Sequence, residues 1–548
     1  MSQSGKPTTA DLQQMSVAEQ HEWLQTQRSR RSMLKGGLIG AGALIAGPVL
    51  GSTAAGAATL PQSRRGARRA PTVLLSRDRL PGASVAPFGR HISYGEDPTR
   101  QMNISWQLNA PVSNPFVRIG TSPDELEQRV AAELVSLTTP FVDVTAVDSV
   151  PLLAPAEVEQ WYAHASLDRL APGETYYYAV GHQGLDPRAA KVVQVNSFTL
   201  APSNRGDFRF TAFGDQGVSY DAVSTSQVVA GQSPAFHLHA GDLSYAESGG
   251  SGLLTDAYDP RVFDSWFAEI EGVAANIPWI VGVGNHEMEP WYPTHGYGGQ
   301  LARFSFIANA PSSCPVSYSF GYGNVGFISL DANDVSYELE ANLGYTGGAQ
   351  TAWLESTLAA MRQDRGIDFI VAFFHQCAYS TCKVHASDGG IDKFWAPLFD
   401  QYQVDLVING HNHIYERTDP IRGGAPTGEA PIGATIDAVA EGTTYVTAGG
   451  AGKSLYGFGS SASPVPDSYL GLVNDDGAIT TWQWELGSSP SKPAQNPITV
   501  AWSRVRYTGY GLLVVDCLCD FGKPRLSVRA VMEDGVTLID EFSIVRGH

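Results

Sequence analysis

The segment His237-Leu238-His239-Ala240-Gly241-Asp242-Leu243-Ser244-Tyr245 joins a short apolar run to a Gly-Asp pair and a tyrosine. Strands buried on both faces read as continuous apolar runs, and open α/β sheets bind their ligands beyond the carboxyl ends of the strands. The same grammar recurs four times. Phe210-Thr211-Ala212-Phe213-Gly214 precedes Asp215-Gln216-Gly217, and Ile280-Val281-Gly282-Val283 precedes Gly284-Asn285-His286-Glu287. Ile370-Val371-Ala372-Phe373-Phe374 ends in His375, and Leu406-Val407-Ile408-Asn409 precedes Gly410-His411-Asn412-His413. Five such ends predict one convergent site.

Each piece alone is weak. A Gly-Asp pair is usually a turn, and a lone His on an apolar strand is usually packed core. Together the residue types make chemical sense: Asp, Asn and His supply oxygen and imidazole donors for divalent and trivalent metals. A two-metal site needs a bridging carboxylate, and Asp242 sits centrally in the order. His411 and His413 share one face of an extended segment. The glycines before Asp242, Asn285 and His411 are expected to let the backbone turn sharply. His237 and His239 read as packing residues or as supports for the ligands.

Working outward, apolar runs at 208–213, 235–240, 277–283, 325–330, 369–374 and 404–408 alternate with helical stretches at 262–275, 349–362 and 391–402. That alternation predicts an α/β layered domain over 206–548. Thr444–Ala448, 511–515 and 526–531 read as further strands, and 456–498, rich in Gly, Ser, Pro and Asp, as a surface insertion. Ahead of this domain, Met102, Ile104, Trp106 and Leu108 alternate with polar residues, as a half-buried strand requires. Leu170-Ala171-Pro172-Gly173-Glu174-Thr175-Tyr176 resembles the tyrosine corner of a fibronectin type III sandwich. A β-sandwich is expected over 84–200, preceded by a linker at 58–83.

Residues 1–57 read as a signal peptide. Ser29-Arg30-Arg31-Ser32-Met33-Leu34-Lys35 is a twin-arginine motif, an uncharged Gly- and Ala-rich run follows, and Ala55-Gly56-Ala57 is a small-residue cleavage site. The run is short and glycine-rich for a membrane anchor. The expected location is therefore secreted or extracytoplasmic, without stable membrane association. A net charge of −19 argues against nucleic acid as a partner. Five cysteines are not a disulfide framework, although Cys377 and Cys382 can pair within one loop after export.

The motifs Asp215-x-Gly217, Gly241-Asp242-x-x-Tyr245, Gly284-Asn285-His286-Glu287, His375 and Gly410-His411-x-His413 resemble the metallophosphoesterase superfamily, and within it the purple acid phosphatases. Tyr245 separates that family from most other members, and a fibronectin-like front domain is typical of its larger, plant-like forms. The resemblance implies a central β-sandwich flanked by helices. It implies Fe(III) held by Asp215, Tyr245, His413 and the shared Asp242. A second, divalent metal (Fe, Zn or Mn) would be held by Asp242, Asn285, His375 and His411. It places His286 and His385 at the substrate phosphate, with His286 as proton donor. Ala372 departs from the family pattern, which has Val there, and only His385 stands where the family often has two histidines.

The implied reaction is hydrolysis of a small phosphate monoester by an exported acid phosphatase. Two cations neutralise the phosphoryl oxygens and acidify a water, whose hydroxide attacks phosphorus. A phosphodiesterase or nucleotide phosphatase on the same scaffold is the alternative. A secreted binding protein with a vestigial site is a remote one.

Overall fold

The computed structural model describes residues 73–76, 85–142, 157–189, 192–253, 256–292, 295–339, 341–458, 478–487, 493–519 and 523–547. The twin-arginine motif and cleavage site lie outside the described residues, as does most of the expected linker. Val73–Ser76, inside that expected linker, is instead a strand, paired antiparallel with Val192–Thr199.

Two antiparallel sheets make the first layer pair. One runs in the order Phe88–Tyr94, Met102–Leu108, Glu157–Leu167, Glu133–Pro140. The other runs Val73–Ser76, Val192–Thr199, Thr175–Gly181, Phe116–Gly120, Gln128–Ala131. The alternation in the second strand buries Met102, Ile104, Trp106 and Leu108 completely, in one core with Val117, Ile119, Tyr178 and Phe198. The Tyr176 hydroxyl accepts the N–H of Ala171 at 3.0 Å, pinning the chain where it enters its strand.

Residues beyond 206 build two seven-stranded sheets. The first runs Trp279–Val281, Phe236–His239, Phe208–Phe213, Gly511–Leu518, Arg525–Met532, Leu538–Val545, Thr435–Asp437. The second runs Tyr318–Tyr322, Val325–Ser329, Phe369–Phe374, Leu406–Asn409, Thr444–Ala448, Tyr415–Thr418, Ser503–Tyr507. The sheets face each other across aromatic side chains. Phe210 and Phe236 stack at 5.5 Å, and Phe327 of the opposite sheet meets both edge-on at 5.2 Å. The helix Arg261–Ala274 covers the first sheet through Val262, Trp266 and Ile270. Ala349–Gln363 covers the second through Leu354, Leu358 and Met361. Parallel neighbours put the ends of Phe208–Phe213, Phe236–His239 and Trp279–Val281 at one edge of the first sheet. Phe369–Phe374 and Leu406–Asn409 end together in the second.

Two expectations change, and two elements appear for which there was none. The helix expected over 391–402 is two short ones, Gly389–Phe394 and Ala396–Gln401, interrupted at Trp395. Pro397 in the first turn of the second lacks the N–H that a continuous helix needs. Tyr220–Gln232, for which the sequence reading had no helix, is capped by the Ser219 hydroxyl accepting Ala222 N–H at 3.0 Å. Part of 456–498 is a hairpin, Ile479–Leu486 against Pro493–Val500, its first strand lying parallel to Ser387–Asp388. Cys377 and Cys382 are both free thiols. Cys377 Sγ lies 3.2 Å from the Gly410 carbonyl, whereas Cys382 Sγ lies 3.7 Å from that of Gly457, so each is drawn to a different partner.

The sandwich rests on the helix Arg261–Ala274: Gly89 N–H reaches Glu271 Oε2 at 3.2 Å, Arg90 pairs with Glu271, and the Tyr178 hydroxyl donates to Ala275 O at 2.8 Å. The two large sheets are joined by a buried ion pair. Arg417, on Tyr415–Thr418, bonds Asp540, on Leu538–Val545, with Nε–Oδ2 2.5 Å and Nη2–Oδ1 3.2 Å, both side chains fully buried. The Tyr415 hydroxyl adds a bond to Asp540 Oδ2 at 2.7 Å. Asp540→Asn leaves the Arg417 charge buried without its counter-ion, which is expected to cost about 3–5 kcal/mol. The check is the urea unfolding midpoint; a loss below about 1 kcal/mol, the scale of an exposed pair, contradicts this reading of the pair.

Candidate metal centre

The five predicted strand ends meet. Asp215, Tyr245 and His413 form one group. The Tyr245 hydroxyl lies 3.1 Å from Asp215 Oδ1 and 2.9 Å from His413 Nε2, and that nitrogen lies 3.3 Å from Asp215 Oδ1. His413 Nδ1 donates to the Ser454 carbonyl at 2.6 Å, which leaves Nε2 unprotonated toward its neighbours in the neutral ring. Burial and the carboxylates of Asp215 and Asp242 push the Tyr245 phenol well above its ordinary value. A phenolate there needs a cation beside it.

Asp242, His375 and His411 form the second group, with potential ligand atoms all within 4.8 Å of one another. His375 Nδ1 donates to the Ala240 carbonyl at 2.8 Å. His375 Nε2 lies 3.0 Å from Asp242 Oδ2 and 3.8 Å from Asp215 Oδ1, so Asp242 stands between the two groups. Asn285 joins through its position next to His286, whose N–H donates to Asp242 Oδ1 at 3.0 Å. Two polar atoms here, Asn285 Oδ1 and His375 Nε2, are buried without a hydrogen-bond partner. Such atoms are rare in native structures and ask for a reason. The spacings of about 3 Å among Tyr245 Oη, Asp215 Oδ1 and His413 Nε2, and between His375 Nε2 and Asp242 Oδ2, are those of neighbours on one cation at about 2.0–2.2 Å. The residues therefore fit a pair of metal ions.

Charge follows the same logic. Burial opposes ionisation of Asp242, yet His375 and His286 outweigh it and hold the carboxyl well below its usual range. Burial also opposes charge on His375, but Asp242 and Asp215 raise it to about 10. A cation at Nε2 displaces that proton. His411 is pushed far down by burial and by the neighbouring imidazoles of His385 and His375, so it is neutral and able to ligate.

His286 sits at the rim of both groups. Its Nδ1 donates to the Glu247 carbonyl at 2.6 Å, its Nε2 lies 3.8 Å from Asp242 Oδ2, and its ring is 4.3 Å from that of Tyr245. Burial lowers its pKa, but Asp242 and Glu247 more than compensate and raise it. His385 lies beside His411, ring centres 4.0 Å apart, with Nδ1 2.6 Å from Glu338 Oε1. His237 and His239 are fully buried behind the site; His237 bonds Thr211 Oγ1 at 2.9 Å and packs between Phe213 and Trp279.

Three side chains at the site carry no sequence signal, and a fourth, Glu287, stands in a quoted motif without an assigned role. Lys453 places its ammonium 4.2 Å over the Tyr245 ring, where burial lowers its pKa to about 8. Glu247 and Glu338 lie against the histidines, and no local pattern marks either of them. Glu287 was visible inside Gly284-Asn285-His286-Glu287, since an acid there matches the exposed amides of a strand end. Its carboxylate accepts the N–H groups of Asp242, Leu243 and Gly284 at 2.7, 2.9 and 2.8 Å.

Gly241 turns with φ of 84° as expected, but Gly284, at φ −110°, and Gly410 do not take the left-handed turn. The left-handed turns fall largely on the site residues themselves: Asp215, Asp242, Tyr245 and His411 have φ of 63°, 54°, 58° and 66°. Such conformations cost about 1–3 kcal/mol each and gather at functional sites. Gly410 serves proximity. A Cβ there would lie 2.6 Å from Asp215 Oδ2, 2.9 Å from the Ala240 carbonyl and 3.0 Å from His375 Nδ1. Gly410→Ala is therefore expected to weaken metal retention about 10–100-fold, the range seen when a ligand's support is lost, with unchanged far-ultraviolet circular dichroism. Metal content after dialysis equal to that of the unaltered protein rejects the close-approach argument.

Comparison with known proteins agrees with this geometry. Residues 87–200 match the family described as Purple acid Phosphatase, N-terminal domain, and residues 208–415 match the Calcineurin-like phosphoesterase family. An uncharacterized protein of Mycobacterium tuberculosis is 33% identical over 554 residues, covering 94% of this chain and 96% of that protein. Purple acid phosphatase 15 of Arabidopsis thaliana is 29% identical over 47% of this chain and 49% of its own length. A phosphoenolpyruvate phosphatase of Allium cepa is 26% identical over 62% and 64% respectively. The solved purple acid phosphatase of yellow lupin (Lupinus luteus) seeds shares the fold, with a TM-score of 0.60 at 20% identity over 84% of this chain and 75% of that one. With both domains matched and the fold shared, this chain belongs to the purple acid phosphatase family, phosphoesterases built on a dinuclear metal centre.

Proposed function

We propose that this protein is an exported acid phosphatase that hydrolyses phosphate monoesters. The observation that carries the reading is Asp242 Oδ2 flanked by His375 Nε2 at 3.0 Å and His286 Nε2 at 3.8 Å, with Asn285 Oδ1, next in sequence to His286, buried without a hydrogen-bond partner. Monoesters are favoured by the relatives' names, since phosphoenolpyruvate is itself a phosphate monoester. Export rests on the twin-arginine motif and the Ala55-Gly56-Ala57 site. Among the described residues no helix is long and apolar enough to cross a membrane. The proposed partner is a small phosphate ester, and the net charge of −19 disfavours nucleic acid.

Asp215, Tyr245, His413 and Asp242 would hold Fe(III). Asp242, Asn285, His375 and His411 would hold a divalent Fe, Zn or Mn. When bound, the pair neutralises phosphoryl oxygens and acidifies the attacking water. The chain's own residues do the rest. Asp242, anchored by His286 N–H, keeps the two groups of donors at a fixed separation. His286 spends its Nδ1–H on the Glu247 carbonyl, so its Nε2 is the atom that faces the ester. From there it can give a proton to the departing oxygen. His385, beside His411, is proposed to contact the phosphate.

Two measurements test this. Elemental analysis of the purified mature protein is expected to find two metals per chain, one of them iron, with a visible charge-transfer band that Tyr245→Phe abolishes. One metal, or a colourless and fully active protein, removes the ferric-tyrosinate assignment. His286→Ala is expected to lower kcat for an alkyl phosphate by ~10²–10⁴-fold, the range for general acid catalysis. For nitrophenyl phosphate the loss should be far smaller, because nitrophenolate leaves without a proton. Equal losses on both substrates reject the general-acid role in favour of mere positioning.

A further inference from the structure

Glu338 reaches the centre from a segment that supplies none of the candidate ligands. That segment follows the strand Val325–Ser329 and the turn Ala332–Asp334. It is tied down by Asp388, a buried carboxylate that accepts the Ser336 hydroxyl at 2.6 Å, Tyr337 N–H at 3.0 Å and Glu338 N–H at 3.2 Å. Asp388 also caps the helix Gly389–Phe394 through Gly390 N–H at 2.9 Å. The backbone of Glu338 is therefore fixed before its side chain makes any contact.

The side chain then divides its two oxygens between two imidazoles. Oε2 lies 2.8 Å from His411 Nε2, and Oε1 lies 2.6 Å from His385 Nδ1. The rings lie 4.0 Å apart at 33°. An ionised carboxylate only accepts, so each of those nitrogens carries a proton. A neutral imidazole has one N–H, so His411 keeps its lone pair on Nδ1, the nitrogen left for the group with Asp242 and His375.

We propose that Glu338 is a positioning residue that holds His411 in the tautomer able to bind the second metal through Nδ1 and clamps His385 against it. The inference rests on the function proposed above. Carboxylate support of this kind orients a ligating ring and raises its basicity, and its removal typically costs about 10–100-fold in metal affinity. It also couples the metal to the substrate-side histidine. One carboxylate sets both rings, so loss of Glu338 loosens His385 as well as His411.

The test uses the full mature chain, with Glu338→Ala and the isosteric Glu338→Gln. Zinc binding is measured by competition with a chromogenic chelator, together with total metal content and the melting temperature of the metal-free protein. Glu338→Ala is expected to weaken the more labile zinc about 10–100-fold while the other metal stays and the metal-free melting temperature is unchanged. Glu338→Gln, whose amide oxygen still accepts one N–H, is expected to fall between. Excess zinc should raise nitrophenyl phosphate hydrolysis in both variants without restoring it fully, because His385 stays loosened. Zinc affinity in Glu338→Ala equal to the unaltered protein overturns the inference. So does a third zinc that only the unaltered protein binds, because Glu338, His385 and His411 then ligate a cation themselves. A parent protein that holds fewer than two metals overturns the proposed function, and this inference falls with it; a parent holding two alongside an unaffected variant sinks this inference alone.

Discussion

The Glu287 carboxylate accepts three backbone N–H groups, from Asp242, Leu243 and Gly284, and thereby joins two neighbouring strand ends. Backbone donors at a strand end have no further ladder to join, and a buried N–H left alone is costly. One acid settles three of them and draws the chain after Phe236–His239 against the chain after Trp279–Val281. The contact is so close that a Cβ on Gly284 would sit 2.2 Å from Asp242 Oδ1. Across the two sheets, Gly410 has the same effect on Asp215 and His375. The metal centre is what remains when five strand ends are brought nearer than side chains at those glycines would permit.

That closeness explains the strain. Four site residues take left-handed backbone conformations, and two donors lack partners. Neither would persist on a loose scaffold. The surrounding layers oppose relaxation: the aromatic stack of Phe210, Phe236 and Phe327 fills the space between the sheets, and Arg417 with Asp540 ties them at depth. The sandwich domain contributes from outside, by packing Phe88–Tyr94 on the helix Arg261–Ala274 that covers the first sheet. None of the candidate ligands comes from it.

Support also arrives in a layer behind the ligands. Ala240 O holds His375, Ser454 O holds His413, Glu247 O holds His286, and Glu338 holds His411 and His385. Each contact selects which ring nitrogen keeps its proton, and so which one faces the site. Three of these five contacts are made by backbone carbonyls, which any residue type supplies equally well.

The division between what was legible and what was not follows from that fact. Apolar runs with period and length suited to buried strands, each closed by Asp, Asn or His, carried the layered fold, the order of the strands' ends and six candidate ligands, Asp215, Asp242, Asn285, His375, His411 and His413; Tyr245 joined them only through the family resemblance. Those features are local: composition and spacing along the chain are enough to read them. The exchange of a single helix for two at Trp395, the strand Val73–Ser76 and the hairpin of 479–486 with 493–500 depended on neighbours distant in sequence. So did the free state of Cys377 and Cys382. Glu247, Glu338 and Lys453 were invisible for the same reason. A lone acid or lysine in a loop has no periodicity to betray it, and only the folding of that loop against the strand ends places its charge beside an imidazole or a phenol. The chain alone marked which residues are candidate ligands; the tertiary structure decided how closely they approach and which nitrogen each histidine turns inward, because distance and tautomer are set by contacts between segments far apart along the chain.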